Sequence, residues 1–116
     1  IGTTEKEWTN VNLCNSVAQI LVEVVKKNQK SYPTAICFGG THYPEKFTNE
    51  LIHGKYAIGT VVPKHALEHV DNSLFSHIIQ RNQGAAVALL DWNGMGKSKQ
   101  KILEMLERTD LEVIKL

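Results

Sequence analysis

Thr34-Ala35-Ile36-Cys37-Phe38-Gly39-Gly40-Thr41-His42-Tyr43-Pro44-Glu45-Lys46-Phe47 carries a buried β-run straight into the start of a helix. The run from Thr34 to Phe38 is apolar or β-branched and lies between Pro33 and Gly39, which reads as a short buried strand. Two glycines follow; they take positive φ at no steric cost and let the backbone approach a ligand. His42 and Tyr43 come next, and Pro44 opens a helix expected over 44–52. In open α/β sheets ligands bind at the carboxyl ends of strands. The loop 39–43 is therefore the candidate functional loop.

On the amino-terminal side, Thr4 and Glu7 have the spacing of a capping box. Cys14, Val17, Ala18, Leu21, Val24 and Val25 recur at helical spacing behind it, and Lys26, Lys27 and Lys30 suit the negative end. One helix is expected from about Glu5 to Asn28. On the carboxyl side, Tyr56–Val62 is a second β-run stopped by Pro63, and Lys64–Val70 forms a helical turn. Asn72–Gln83 is expected as a helix with Leu74, Phe75, Ile78 and Ile79 along one side. Ala85–Leu90 is a third buried strand, Lys97–Arg108 a helix, and Leu111–Leu116 a last strand at an edge. Strands alternating with helices predict an α/β fold, a mainly parallel sheet layered with helices. Four strands make a narrow sheet, so further strands are expected upstream. The chain begins at Ile1, which suggests a trimmed terminus or a fragment. Residues 1–116 are expected to form a single α/β domain, the C-terminal part of a longer protein.

The bulk composition sets bounds. An apolar share of 42% with 22% charged residues is ordinary for a globular chain of 116 residues. A net charge of +1 does not demand a nucleic-acid partner. No apolar run approaches the roughly 18 residues of a membrane helix, so no membrane partner is expected. Cys14 and Cys37 lie in apolar patterns and are expected to be reduced and buried, in a cytoplasmic protein.

Three motifs invite chemistry. In the glycine loop, backbone N–H groups can hold an anion or oxyanion, His42 can serve as general base, proton donor or metal ligand, and Tyr43 can stack on a base or hydrogen-bond a substrate. Gly94-Met95-Gly96-Lys97-Ser98 resembles the end of a phosphate loop, but Asp91 stands where that loop needs its first glycine. Lys97 is then an ordinary surface residue. His65-Ala66-Leu67-Glu68-His69 fits the H-x-x-E-H pattern of inverted zinc peptidases; on an α-helix its two imidazoles would share a face, with Glu68 as base. A solvent-exposed pair on a short turn is the plainer reading. His53 and His77 are expected at the surface or in packing. Trp92 can wall a pocket, although packing is again the plainer expectation. No Ser/His/Asp spacing or carboxylate pair stands out.

Taken together these residues resemble the archaeal and plant type of D-aminoacyl-tRNA deacylase over essentially the whole chain. The resemblance is carried by 2–8 (GTTEKEW), 38–47 (FGGTHYPEKF), 58–64 (IGTVVPK) and 88–94 (ALLDWNG). It implies a zinc-dependent hydrolase that cleaves the ester joining a D-amino acid to the 3′ end of tRNA, on an α/β fold similar to peptidyl-tRNA hydrolase. Gly39, Gly40, His42 and Tyr43 match the family's loop, and Lys64 matches its Pro-Lys step. The implied site has His42 as catalytic residue. Gly39, Gly40, Thr41, Tyr43 and Lys64 bind substrate, and His42 and His65 are zinc ligands. The implied partners are D-aminoacyl-tRNA and a missing N-terminal half or second chain, since family members are more than twice this long. Thr60 departs from the family, which usually has His there, and His65 replaces its usual Tyr. A non-catalytic fragment that binds tRNA or a partner is the alternative, and a zinc peptidase built on His65, Glu68 and His69 a remote one.

Overall fold

Residues 4–27 and 31–116 are described by a computed structural model. By their contacts the residues form two compact units, 1–31 and 32–116.

In the first unit the expected single helix is two. Helix α1 spans Glu5–Trp8 and α2 spans Val11–Lys27. The capping box forms: the backbone N–H and hydroxyl of Thr4 both donate to the Glu7 carboxylate, at 3.0 and 2.8 Å. The break falls at Thr9-Asn10, where side chains compete with the helical ladder. The Thr9 hydroxyl donates to the Glu5 carbonyl at 2.6 Å and closes α1. Asn10 Oδ1 accepts the Leu13 N–H at 3.1 Å and starts α2 afresh as its N-cap. The apolar spacing continues across the break, so periodicity alone could not reveal it. The expected end at Asn28, like Lys30, lies outside the described residues. Among the described residues no helix is long and apolar enough to cross a membrane.

In the second unit β1 (Thr34–Phe38), β2 (Ala57–Val62), β3 (Ala85–Leu90) and β4 (Glu112–Lys115) form an all-parallel sheet in the order β2-β1-β3-β4. Helices α3 (Glu45–Ile52), α4 (Asn72–Arg81) and α5 (Lys99–Leu106) connect them. The α/β, parallel-sheet expectation holds. Side chains alternate across the sheet as the two-residue period requires. Ile36, Phe38, Ala88 and Leu90 face a core shared with Phe75 and Ile78 of α4 and Ile102 and Leu106 of α5. Ala35, Cys37, Val87 and Leu89 face the other way, where Phe47 of α3 packs. The central strands β1 and β3 are buried on both faces, and each fully buried Ile, Leu or Phe contributes about 1.5–3 kcal/mol. The ends of these two strands are therefore the most firmly held part of the sheet.

Two expected helices change character. Lys64–His69 is a 3₁₀ helix, and the segment expected as Lys97–Arg108 begins as a 3₁₀ turn, Gly96–Ser98, before α5. Helix α4 stops at Arg81 because the Asn82 side chain is committed elsewhere, as described below. Cys37 is buried, and burial pushes its thiol up to about 12. Cys14 is only half-buried, against expectation, and its thiol donates to the Trp8 carbonyl at 3.4 Å.

Candidate active site

Parallel pairing brings Phe38, Val62 and Leu90 level at the carboxyl edge of the sheet. The glycine pair ties the three strand ends together there. The Gly39 N–H donates to the Val62 carbonyl at 2.9 Å, the Lys64 N–H to the Gly40 carbonyl at 3.0 Å, and the Asp91 N–H to the Phe38 carbonyl at 3.0 Å. Gly40 has φ +80° and is buried; a Cβ there would stand 3.0 Å from Pro44 Cβ and 3.2 Å from the Phe47 ring. Glycine is required by both conformation and space.

Asp91 anchors the loop from below. Lys46 Nζ lies 2.8 Å from Asp91 Oδ1 and also donates to the Leu116 carbonyl at 2.8 Å. The backbone N–H groups of Gly94 and Gly40 point to the same carboxylate. The Lys46 hydrogen bond holds the Asp91 carboxyl below its ordinary range, against the upward effect of burial. Sequence reasoning met Asp91 as the residue that spoils a phosphate loop and as part of the 88–94 stretch that carries the resemblance, and gave it no role in the site. Its place directly after β3, at the strand-end edge, was the available signal.

Two clefts open around this loop. The smaller, about 210 Å³, lies between Gly40, Thr41, Tyr43, Lys46 and Asp91. The larger, about 540 Å³, is walled by three loops: Gly40–His42 after β1, Lys64, His65 and Glu68 after β2, and Met95–Ser98 after β3. The expected residues Gly40, Thr41, His42, Lys64 and His65 thus meet in one cleft. Gly39 lies behind it, next to Asp91 and Met95. Tyr43 lines the smaller cleft, 83% exposed, with the His42 ring edge-on at 4.9 Å. The Thr41 hydroxyl donates to the Tyr43 carbonyl at 3.1 Å, so it shapes the turn. Lys97, which the sequence left as ordinary surface, forms the third wall of the larger cleft together with Met95, Gly96 and Ser98.

The H-x-x-E-H pair does not form. A 3₁₀ helix turns about 120° per residue, so positions four apart diverge by about 120°; on an α-helix they would diverge by about 40°. His65 lines the cleft, whereas His69 is exposed with Nε2 3.4 Å from Glu68 Oε1. Among the described residues no three His, Cys, Asp or Glu side chains converge as a metal site. A protein zinc site needs three or four such donors, so the described residues do not fit zinc by themselves.

Thr60 sits in the middle of β2 and lines neither cleft. Its N–H donates to Asn82 Oδ1 at 3.1 Å, and Asn82 Nδ2 donates to its hydroxyl and to the Ile78 carbonyl, both at 2.7 Å. The pair binds β2 to the end of α4, a structural use of the position. His53 Nδ1 is 2.7 Å from the Asn49 carbonyl, and His77 Nε2 accepts from Arg81 Nε at 3.4 Å. Trp92 packs against the core with the amino groups of Lys115 and Lys99 4.1 and 5.1 Å from its ring.

A parallel α/β sheet with a glycine loop and three converging strand-end loops opens its clefts at the carboxyl edge of the sheet, the edge where open α/β proteins as a class take their ligands. The family profile described as D-aminoacyl-tRNA deacylase matches residues 1–114, and the chain belongs to that family. A D-aminoacyl-tRNA deacylase of Cenarchaeum symbiosum is 53% identical over 114 residues, covering 98% of this chain and 44% of the relative. Those of Methanosarcina mazei and Methanocaldococcus jannaschii are 34% and 33% identical, covering 99% and 97% of this chain and 38% and 45% of their own lengths. The chain therefore spans less than half the length of these curated relatives. The crystal structure of a conserved protein of unknown function superposes with a TM-score of 0.77 at 24% identity, over 99% of this chain and 41% of that one. That likeness shows the fold.

Proposed function

We propose that this chain supplies one face of the active site of a D-aminoacyl-tRNA deacylase, which hydrolyses the ester between a D-amino acid and the terminal ribose of tRNA. The observation that carries the proposal is the convergence of His42, His65, Lys64 and the Gly40 backbone on one strand-end cleft. Ester hydrolysis needs an activated water and a stabilised tetrahedral oxyanion. His42, exposed at the cleft wall, takes the proton from water. The Gly39 and Gly40 N–H groups are already committed to the Val62 carbonyl and the Asp91 carboxylate, so the oxyanion falls to the N–H groups of Thr41 and His42, and Lys64 holds the polynucleotide. Tyr43, at the rim, offers an open ring for the terminal base. The remaining part of the site comes from the rest of the polypeptide or from a second chain, and any zinc completes its ligand set there. The reaction is placed in the cytoplasm, where charged tRNA is found.

The test is deacylation of D-tyrosyl-tRNA and L-tyrosyl-tRNA by the full-length protein and by this chain, with His42→Ala alongside. The full-length protein is expected to turn over the D-ester alone, and the substitution to lower kcat by about 10²- to 10⁴-fold. Unchanged kcat would remove His42 from the chemistry. One observation favours a second reading, binding without turnover: among the described residues the His42 ring meets Tyr43 and no orienting carboxylate. Retained tRNA binding by a folded full-length protein that turns over neither ester would establish it.

A further inference from the structure

We infer that Gly96-Lys97-Ser98 is a phosphodiester-binding segment in which Lys97 acts with Lys64 on the backbone next to the scissile ester; this deepens the deacylase reading above and rests on it. The segment is not a triphosphate cradle, because Asp91 fills the place of the first glycine and its carboxylate is already engaged by Lys46 and backbone N–H groups. It instead forms the wall of the larger cleft across from the loops that carry His42 and Lys64.

Three features point to an anion there. Lys64 and Lys97 both line the cleft, and among the described residues neither is in an ion pair. The carboxylate in the lining, Glu68, is turned to His69 at 3.4 Å. Lys97 is also placed from both sides although its own segment is open: Met95, two residues before it, is 2% exposed within the core, and the chain runs on through Ser98 into α5. The chemistry of the substrate supplies the complement. The anion nearest a terminal aminoacyl ester is the phosphodiester joining that adenosine to the preceding nucleotide, and lysine meets phosphate as a compact point charge.

The experiment compares three D-tyrosyl esters with the full-length protein: that of adenosine, which has no phosphate; that of cytidylyl-adenosine, which adds one phosphodiester; and D-tyrosyl-tRNA. Lys97→Ala is expected to lower kcat/KM about tenfold for the last two, through KM, and to leave the adenosine ester unchanged. Lys97→Arg is expected to retain most of the activity. The adenosine ester reports folding of each variant. An equal loss on all three esters, or no loss on any, overturns the assignment while leaving the deacylase reading in place. Hydrolysis of none of the esters by the unsubstituted protein overturns the deacylase reading and, with it, this one.

Discussion

The molecule has two glycine loops at the same edge of its sheet, and they are built to opposite tolerances. The loop after β1 is packed: Gly40 is buried, and Pro44 and Phe47 occupy the space a Cβ would need. The loop after β3 is open only at its far end: at Gly94 a Cβ would clash with the Asp91 carboxylate, whereas one at Gly96, with positive φ of +57°, would meet nothing within 4 Å. Both reach the same cleft. The first fixes the relative placement of the strand ends through backbone hydrogen bonds, and the second presents side chains. A site made this way holds its reacting groups on a rigid floor and leaves one wall free to vary.

The largest expected effect follows from that contrast. Gly40→Ala forces an L-residue into left-handed backbone, at about 1–2 kcal/mol, and overpacks against Pro44 and Phe47, at about 1–3 kcal/mol. Urea unfolding should show a loss of about 2–5 kcal/mol. A loss under about 1 kcal/mol would mean that Pro44 and Phe47 yield easily and that the first loop is no tighter than the second.

Much of this was legible in the sequence, for definable reasons. Buried parallel strands are short apolar runs, and Pro33, Gly39 and Pro63 punctuate them, so β1 to β3 could be placed from residues alone. The 39–43 loop followed from its position after β1. What escaped depended on partners far apart in sequence. That Lys97 and Ser98 share a cleft with His42 depends on the strand order β2-β1-β3-β4, which periodicity does not encode. The Asp91–Lys46 pair spans β3 and α3 and has no local signature. The 3₁₀ character of Lys64–His69 was hidden because a single turn of either helix has the same composition, yet that difference separates His65 from His69. Thr9-Asn10 broke the first helix through side-chain hydrogen bonds that an apolar pattern does not reveal.

Asp91 links the two loops, taking Lys46 and Gly40 on one side and Gly94 on the other. Asp91→Asn keeps an acceptor and removes the charge, and should cost about 1–2 kcal/mol near neutral pH, the lower part of the range for a hydrogen bond to a charged partner because Lys46 is partly solvated. The pH dependence sharpens the test. The folded-state pKa of Asp91 is depressed, so its contribution is fully present above the unfolded carboxylate value of about 3.9 and is lost as pH falls through the lower folded value. The stability gap between the two proteins, measured by urea midpoint, should therefore narrow as pH is lowered from about 5 toward about 2. A gap that stays constant would mean that the ion pair contributes nothing and that backbone hydrogen bonds alone hold the loops together.

The smallest effect belongs to the open loop. Gly96→Ala meets no neighbour, so the cost should be that of left-handed backbone alone, about 1 kcal/mol. Its value lies in being read beside Gly40→Ala by the same urea titration, because both positions share the backbone penalty and differ in what surrounds them. The difference between the two losses then measures packing around Gly40. If Gly96→Ala costs as much as Gly40→Ala, the segment that carries Lys97 is as tightly held as the glycine pair, and the division into rigid floor and variable wall fails. If it costs about 1 kcal/mol and spares hydrolysis of the phosphate-free adenosine ester, the wall can be altered without disturbing the floor, as its open surroundings require.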